Sequence, residues 1–102
     1  MALSGALMLS DKDNVATILE DIEAGAEVAV RLGGEITNIE TLERIPFGFK
    51  MAVADIAKGA HVLKYGESIG IASSNIKRGE LVHIHNLEGG RGRGDLAKGG
   101  SE

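Results

Sequence analysis

Imidazole titrates near neutrality and ligates metals more often than any other side chain. The chain of 102 residues carries it three times, at His61, His83 and His85. His83 and His85 stand two apart, so in a strand over residues 80–85 they project from one face, with Ile84 on the other. Two imidazoles so placed can share a metal, or one can bind a carboxylate while the other moves a proton. The solvated polar face of an edge strand is the alternative reading of the same spacing. Lys50, Lys64 and Tyr65 add cationic and phenolic donors, and Lys64-Tyr65-Gly66-Glu67 reads as a tight turn presenting its first two side chains at one rim. Taken singly, an exposed lysine or a half-buried tyrosine is the commoner fate. No His-Glu-x-x-His spacing occurs, so the chain does not carry a complete metal site of its own. Ser4, Ser68 and Ser73 are not read as nucleophiles.

The elements that must hold these groups are short strands. Hydrophobic residues make up 43% of the chain but aromatic ones only 3%, so the core is built from Ile, Val, Leu, Ala and Met. Fifteen glycines and the single Pro46 imply many turns. One turn recurs: Asp21-Ile22-Glu23-Ala24-Gly25-Ala26-Glu27-Val28, Asp55-Ile56-Ala57-Lys58-Gly59-Ala60-His61-Val62 and Asn75-Ile76-Lys77-Arg78-Gly79-Glu80-Leu81-Val82 share the pattern Asp/Asn-Ile-x-x-Gly-x-x-Val. In each copy the Asx side chain is expected to bond its own backbone two residues on, the Ile to anchor in the core, and the Gly to take φ > 0. The uneven spacing of the copies argues against a solenoid. Strands are predicted over residues 51–56, 60–65, 68–72 and 80–85, with a weaker pair, 27–31 and 35–39, around the hairpin signal Gly33-Gly34. Residues 14–22 fit either a capped helix or a strand.

Length implies one small domain, over residues 1–88, with a flexible Gly/Arg-rich tail over residues 89–102. A phosphate cradle at the tail glycines would need a strand before them and a helix after, and no helical pattern follows. The net charge of −4 argues against coating nucleic-acid phosphates. The absence of cysteine removes disulfides and thiol chemistry and fits a reducing cytoplasm. No apolar run approaches the roughly 18 residues of a membrane span, and the N-terminal stretch lacks a basic leader. A sheet this small leaves edges and a thin core, so a homodimer or a larger partner is expected to cover them.

Several stretches in fixed order carry a family resemblance. They are Asp13-Asn14-Val15-Ala16, Ile45-Pro46-Phe47-Gly48-Phe49-Lys50, Asp55-Ile56-Ala57-Lys58-Gly59, Lys64-Tyr65-Gly66-Glu67-Ser68-Ile69-Gly70 and His83-Ile84-His85-Asn86. Over residues 6–88 the chain resembles the SAF domain of the altronate/galactarate dehydratase family. The resemblance implies a mainly β fold, the β-clip or antifreeze-like domain of short strands and irregular turns. It also implies a small subunit that needs a large catalytic subunit. Family members remove water from sugar acids to give 2-keto-3-deoxy acids, typically with Fe2+ or another divalent metal, and a related pair of subunits eliminates sulfite from sulfolactate. On this reading His83 and His85 transfer protons or contact a metal, whereas Lys50, Lys64, Tyr65 and Asn86 bind the sugar-acid substrate. A non-catalytic SAF binding or scaffold module is the alternative.

The sequence departs from the family at one informative position. Members commonly read Gly-His-Lys where this chain has Gly48-Phe49-Lys50, and phenylalanine neither ligates metal nor moves a proton. A different substrate, a compensating His61 or a scaffolding role would each accommodate the change.

Overall fold

The structure, a computed structural model, describes residues 4–89. Short runs of Val, Ile, Ala and Met suit pleated strands covered on both faces, and the described residues form nine of them. They are β1 (Ser4–Leu7), β2 (Val15–Ile18), β3 (Glu27–Leu32), β4 (Glu35–Glu40), β5 (Lys50–Ala52), β6 (His61–Lys64), β7 (Glu67–Ala72), β8 (Leu81–Val82) and β9 (Leu87–Glu88). Six make one sheet in the order β4-β3-β1-β2-β5-β8, and three make another in the order β6-β7-β9. Every pairing is antiparallel except that of β1 with β3. Among the described residues there is no helix, and residues 14–22 resolve into β2 followed by a bend.

Strand alternation gives the six-stranded sheet a core on each side. Ala16 and Ile18 of β2 and Met51 of β5 join Ala6, Val28, Val30, Ile22 and Ile45 in the first core. Val15 of β2, Ala52 of β5 and Val82 of β8 point the other way, into a second core with Ile56, Val62, Ala72 and Ile76. Val62 and Ala72 belong to β6 and β7, so the second core lies between the two sheets. Each fully buried Ile, Val or Met contributes about 1.5–3 kcal/mol relative to exposure. Glu43 closes the outer edge of β8: its Oε2 accepts the Leu81 N–H at 2.9 Å.

The repeated turn proves to be used four times. Ile22 forms an isolated antiparallel bridge with Ile45, and Ile56 forms one with Ile76; all four are buried. Three residues after each comes a glycine at positive φ: Gly25 at 82°, Gly48 at 87°, Gly59 at 90° and Gly79 at 94°. The residue after each glycine donates to the carbonyl three positions back, from Ala26 to Glu23, Phe49 to Pro46, Ala60 to Ala57 and Glu80 to Lys77. With positive φ only at the third position, these are type II turns.

The Asx side chains do not serve their own turns as expected. Each reaches across the isoleucine bridge to the opposite turn. Asp21 accepts the Phe47 N–H at 2.8 Å, Asp55 the Arg78 N–H at 2.9 Å, and Asn75 the Lys58 N–H at 2.9 Å. The interaction therefore pairs copies rather than closing one. The sequence search missed the fourth copy, Arg44-Ile45-Pro46-Phe47-Gly48, because arginine stands where the others have an acceptor.

Two expected strands are shorter than their sequence pattern suggests. The strand expected over residues 51–56 covers only Lys50–Ala52, because the chain then enters the third turn copy. The one expected over 80–85 ends at Val82. There Asn86 Oδ1 accepts the His83 N–H at 2.9 Å and Asn86 N–H reaches the His83 carbonyl at 3.1 Å, which folds residues 83–86 into a turn. His83 and His85 therefore do not share a strand face. The Gly33-Gly34 hairpin joins β3 to β4 as expected, and β1 and β9 are additions to the sequence reading. Residues 90–102, most of the expected tail, lie outside the described residues.

Candidate functional site

Thr17 and Lys50 are register partners on β2 and β5. They share the sheet face that carries Val15 and Ala52, and both are half-buried where the second core ends. The β6–β7 hairpin closes over that end. Lys64 pairs with Glu67, leaving Tyr65 and Gly66 as a two-residue loop with φ of 57° and 83°. Positive φ at both positions defines a type I′ turn, whose first position favours Asn, Asp or Gly. Tyrosine there is strained.

Neighbouring side chains fix this strained turn. Asp13, buried beneath it, accepts the Gly66 N–H at 2.7 Å through Oδ1 and the Ser10 and Leu9 N–H groups at 3.2 and 3.3 Å through Oδ2. Burial pushes the Asp13 carboxyl upward, but the backbone N–H groups of Gly66, Tyr65, Leu9 and Ser10 outweigh it and hold the pKa below its ordinary value. Asn14 Oδ1 accepts the Leu63 N–H at 2.7 Å and its Nδ2 donates to the His61 carbonyl at 3.0 Å, tying β2 to β6. The Tyr65 hydroxyl lies 2.9 Å from Thr17 Oγ1, and Lys64 Nζ lies 4.9 Å from the centroid of the Tyr65 ring. Burial and then the charge of Lys64 lower the pKa of Lys50. Two ammonium groups, a phenol and a hydroxyl thus converge on one rim, a field suited to an oxyanion.

The histidines are dispersed. His83 is half-buried and tilts against Phe49, ring centroids 4.5 Å apart. Phe49 packs on the first core, so the pair lies toward the opposite face of β5 from Lys50. His85 and Ile84 are exposed on the turn, Ile84 to 82%. Asn86 is buried with its amide committed to backbone, Oδ1 to His83 and Nδ2 to the Leu81 carbonyl at 2.8 Å. It holds the histidine turn in place. His61 Nδ1 lies 2.8 Å from Ser68 Oγ.

Ser68 sits in Gly66-Glu67-Ser68-Ile69-Gly70, which has nucleophile-elbow spacing. Here, however, the stretch is a hairpin arm rather than a strand-to-helix turn, and the Ser68 hydroxyl donates to the Gly70 carbonyl at 3.3 Å. Among the described residues no three His, Asp or Glu side chains gather as metal ligands.

Sequence reasoning placed Lys64 and Tyr65 at one rim and selected Lys50 as a donor by type without bringing it there, and it missed Thr17. The available signal was its period-two offset from buried Val15. It also missed the contact of Phe49 with His83, which joins residues 34 positions apart in sequence.

The comparisons agree with this architecture. The model of the altronate/galactarate dehydratase SAF domain matches residues 4–90. Altronate dehydratase of Escherichia coli (strain K12) is 43% identical over 74 residues, 72% of this chain and 14% of that protein. Altronate dehydratase of Bacillus subtilis (strain 168) is 36% identical over 82 residues, 80% of this chain and 16% of that protein. The (2R)-sulfolactate sulfo-lyase subunit alpha of Chromohalobacter salexigens is 34% identical over 73 residues, 70% of this chain and 78% of that subunit. The chain thus spans about one seventh of the length of the two dehydratases and most of the sulfo-lyase subunit. With the motif order, the mainly β fold and the family match in agreement, the chain belongs to the altronate/galactarate dehydratase SAF-domain family.

Proposed function

We propose that this chain is the small subunit of a two-component lyase that dehydrates a sugar acid to a 2-keto-3-deoxy acid, with a large catalytic subunit as partner. The convergence of Lys50, Lys64 and Tyr65 on one rim supports this reading. Elimination from a 2-hydroxy acid takes the proton from the carbon beside the carboxylate, expels the hydroxyl of the next carbon as water, and leaves an enol that becomes the keto acid. Negative charge builds on the carboxylate oxygens as the proton leaves, and fixed cations stabilise it. Lys50 and Lys64 take the carboxylate, and Tyr65 donates to a substrate oxygen. His83, which tilts against Phe49 away from that rim, and exposed His85 move protons to and from groups of the larger subunit rather than at the acid held by Lys50 and Lys64. A divalent ion, Fe2+ by family precedent, would supply further charge stabilisation, with its ligands drawn chiefly from that subunit.

The dispersal of the imidazoles favours a second reading, in which the chain is a binding module that supports its partner and the histidines form a polar surface. Reconstitution with a large lyase subunit from the same genome, assayed on altronate, galactarate and sulfolactate, tests both. The lyase reading expects turnover with one of these acids and a loss of about 100-fold on His83→Ala. Unchanged rates in His83→Ala and His85→Ala leave the module reading.

A further inference from the structure

We infer that Thr17 is a positioning residue for Tyr65, its hydroxyl holding the phenol over the Lys50–Lys64 rim. This rests on the proposed role of that rim in oxyanion binding. Three observations carry it. Tyr65 occupies a φ of 57°, a conformation costly for an aromatic residue, at a turn position where asparagine or glycine would relieve the strain. The turn is held in that state from below by Asp13 through the Gly66 N–H at 2.7 Å. The phenolic oxygen then ends 2.9 Å from Thr17 Oγ1, a hydroxyl on the strand that pairs directly with Lys50.

A tyrosine tolerated at such a position is there for what its ring delivers. Delivery needs a second anchor, because the loop fixes the backbone but leaves the side-chain torsions free. When Thr17 donates to the phenolic oxygen, the phenol's own proton remains available for a substrate oxygen. Thr17 does this without touching substrate itself. Its β-branched neighbours in β2 tolerate Thr→Val with little change in shape or strand propensity.

The test combines kinetics with a physical readout. Tyr65 is the only tyrosine and there is no tryptophan, so the intrinsic ultraviolet emission of the full chain reports this ring alone. Thr17→Val should lower the anisotropy of that emission, and Thr17→Ser should retain it. In the reconstituted enzyme, Thr17→Val should reduce kcat/KM about tenfold, the equivalent of one hydrogen bond, and Thr17→Ser should restore most of the loss. Adding Thr17→Val to Tyr65→Phe should then cost nothing more, since the phenol it serves is already gone. If Tyr65→Phe is impaired while Thr17→Val matches the parent, or if the two losses simply add, the positioning role is overturned and the rim reading stands. If Tyr65→Phe itself matches the parent, the rim reading fails and this inference fails with it.

Discussion

The carboxylate of Asp13 accepts the backbone N–H of Gly66 at 2.7 Å across 53 residues of sequence. One buried acid thereby couples the loop before β2 to the tip of the β6–β7 hairpin. Because its pKa is lowered in the folded chain, Asp13 contributes stability that is complete at neutral pH, begins to fall as pH drops through the ordinary carboxylate range and vanishes once the folded-state group is protonated. Asp13→Asn presents an N–H₂ group to backbone donors and should destabilise by about 2–3 kcal/mol at pH 7. Urea unfolding of both proteins from pH 7 to pH 3 should show the gap narrowing as the acid limit is approached.

Tyr65 offers a case in which stability and activity should diverge. Tyr65→Asn places the favoured residue at the first position of a type I′ turn and relieves the positive-φ strain. The variant should be more stable by about 0.5–1 kcal/mol, while the reconstituted enzyme loses activity. Thermal unfolding of the isolated chain beside the kinetic assay checks both halves; a less stable variant would mean that the phenol contributes more to the fold than its exposed position suggests.

Two glycines in equivalent turn positions should respond differently. Gly59 has φ of 90° and open space where a Cβ would stand, whereas at Gly79, with φ of 94°, that Cβ would lie 2.5 Å from the Glu40 carbonyl oxygen. Gly59→Ala should cost about 1 kcal/mol from backbone strain alone. Gly79→Ala must also displace backbone and should cost about 3 kcal/mol or more. Denaturant midpoints measured side by side would reveal the difference.

The fourth turn copy is incomplete in a correctable way. Arg44 stands where Asp21, Asp55 and Asn75 supply an acceptor, and its Nε instead lies 3.8 Å from Glu23 Oε2. Both groups of that ion pair are well exposed, so it contributes little. Arg44→Asn should let the side chain reach the Ala24 N–H across the Ile22–Ile45 bridge, raising stability by about 0.5–1 kcal/mol. A shift in the urea midpoint with unchanged slope is the expected signature.

Much of this architecture was legible in the residues themselves. The alternation of β3 and β4 around Gly33-Gly34, and the Asx-Ile-x-x-Gly pattern, are local signals, and local signals survive in sequence. What could not be read locally was partnership. The Asx side chains look equally able to serve their own turn, and only the isoleucine bridges show that they serve another. His83 and His85 carry a strand spacing, yet Asn86 captures the backbone of His83 and bends it into a turn, a contest between two local motifs that spacing does not decide. Lys50, Lys64 and Tyr65 could be selected as donors by type, but their convergence depends on the register of β2 with β5 and on the closure of the β6–β7 hairpin.

The crosswise Asx contacts also bear on how the chain could be divided. A bend whose acceptor and turn N–H are both satisfied by a counterpart carries half of a lock and half of a key. Separating Ile56 from Ile76 by cleavage at the Tyr65-Gly66 tip would leave each fragment with the complement of the other, so the two pieces should recombine on mixing rather than remain apart.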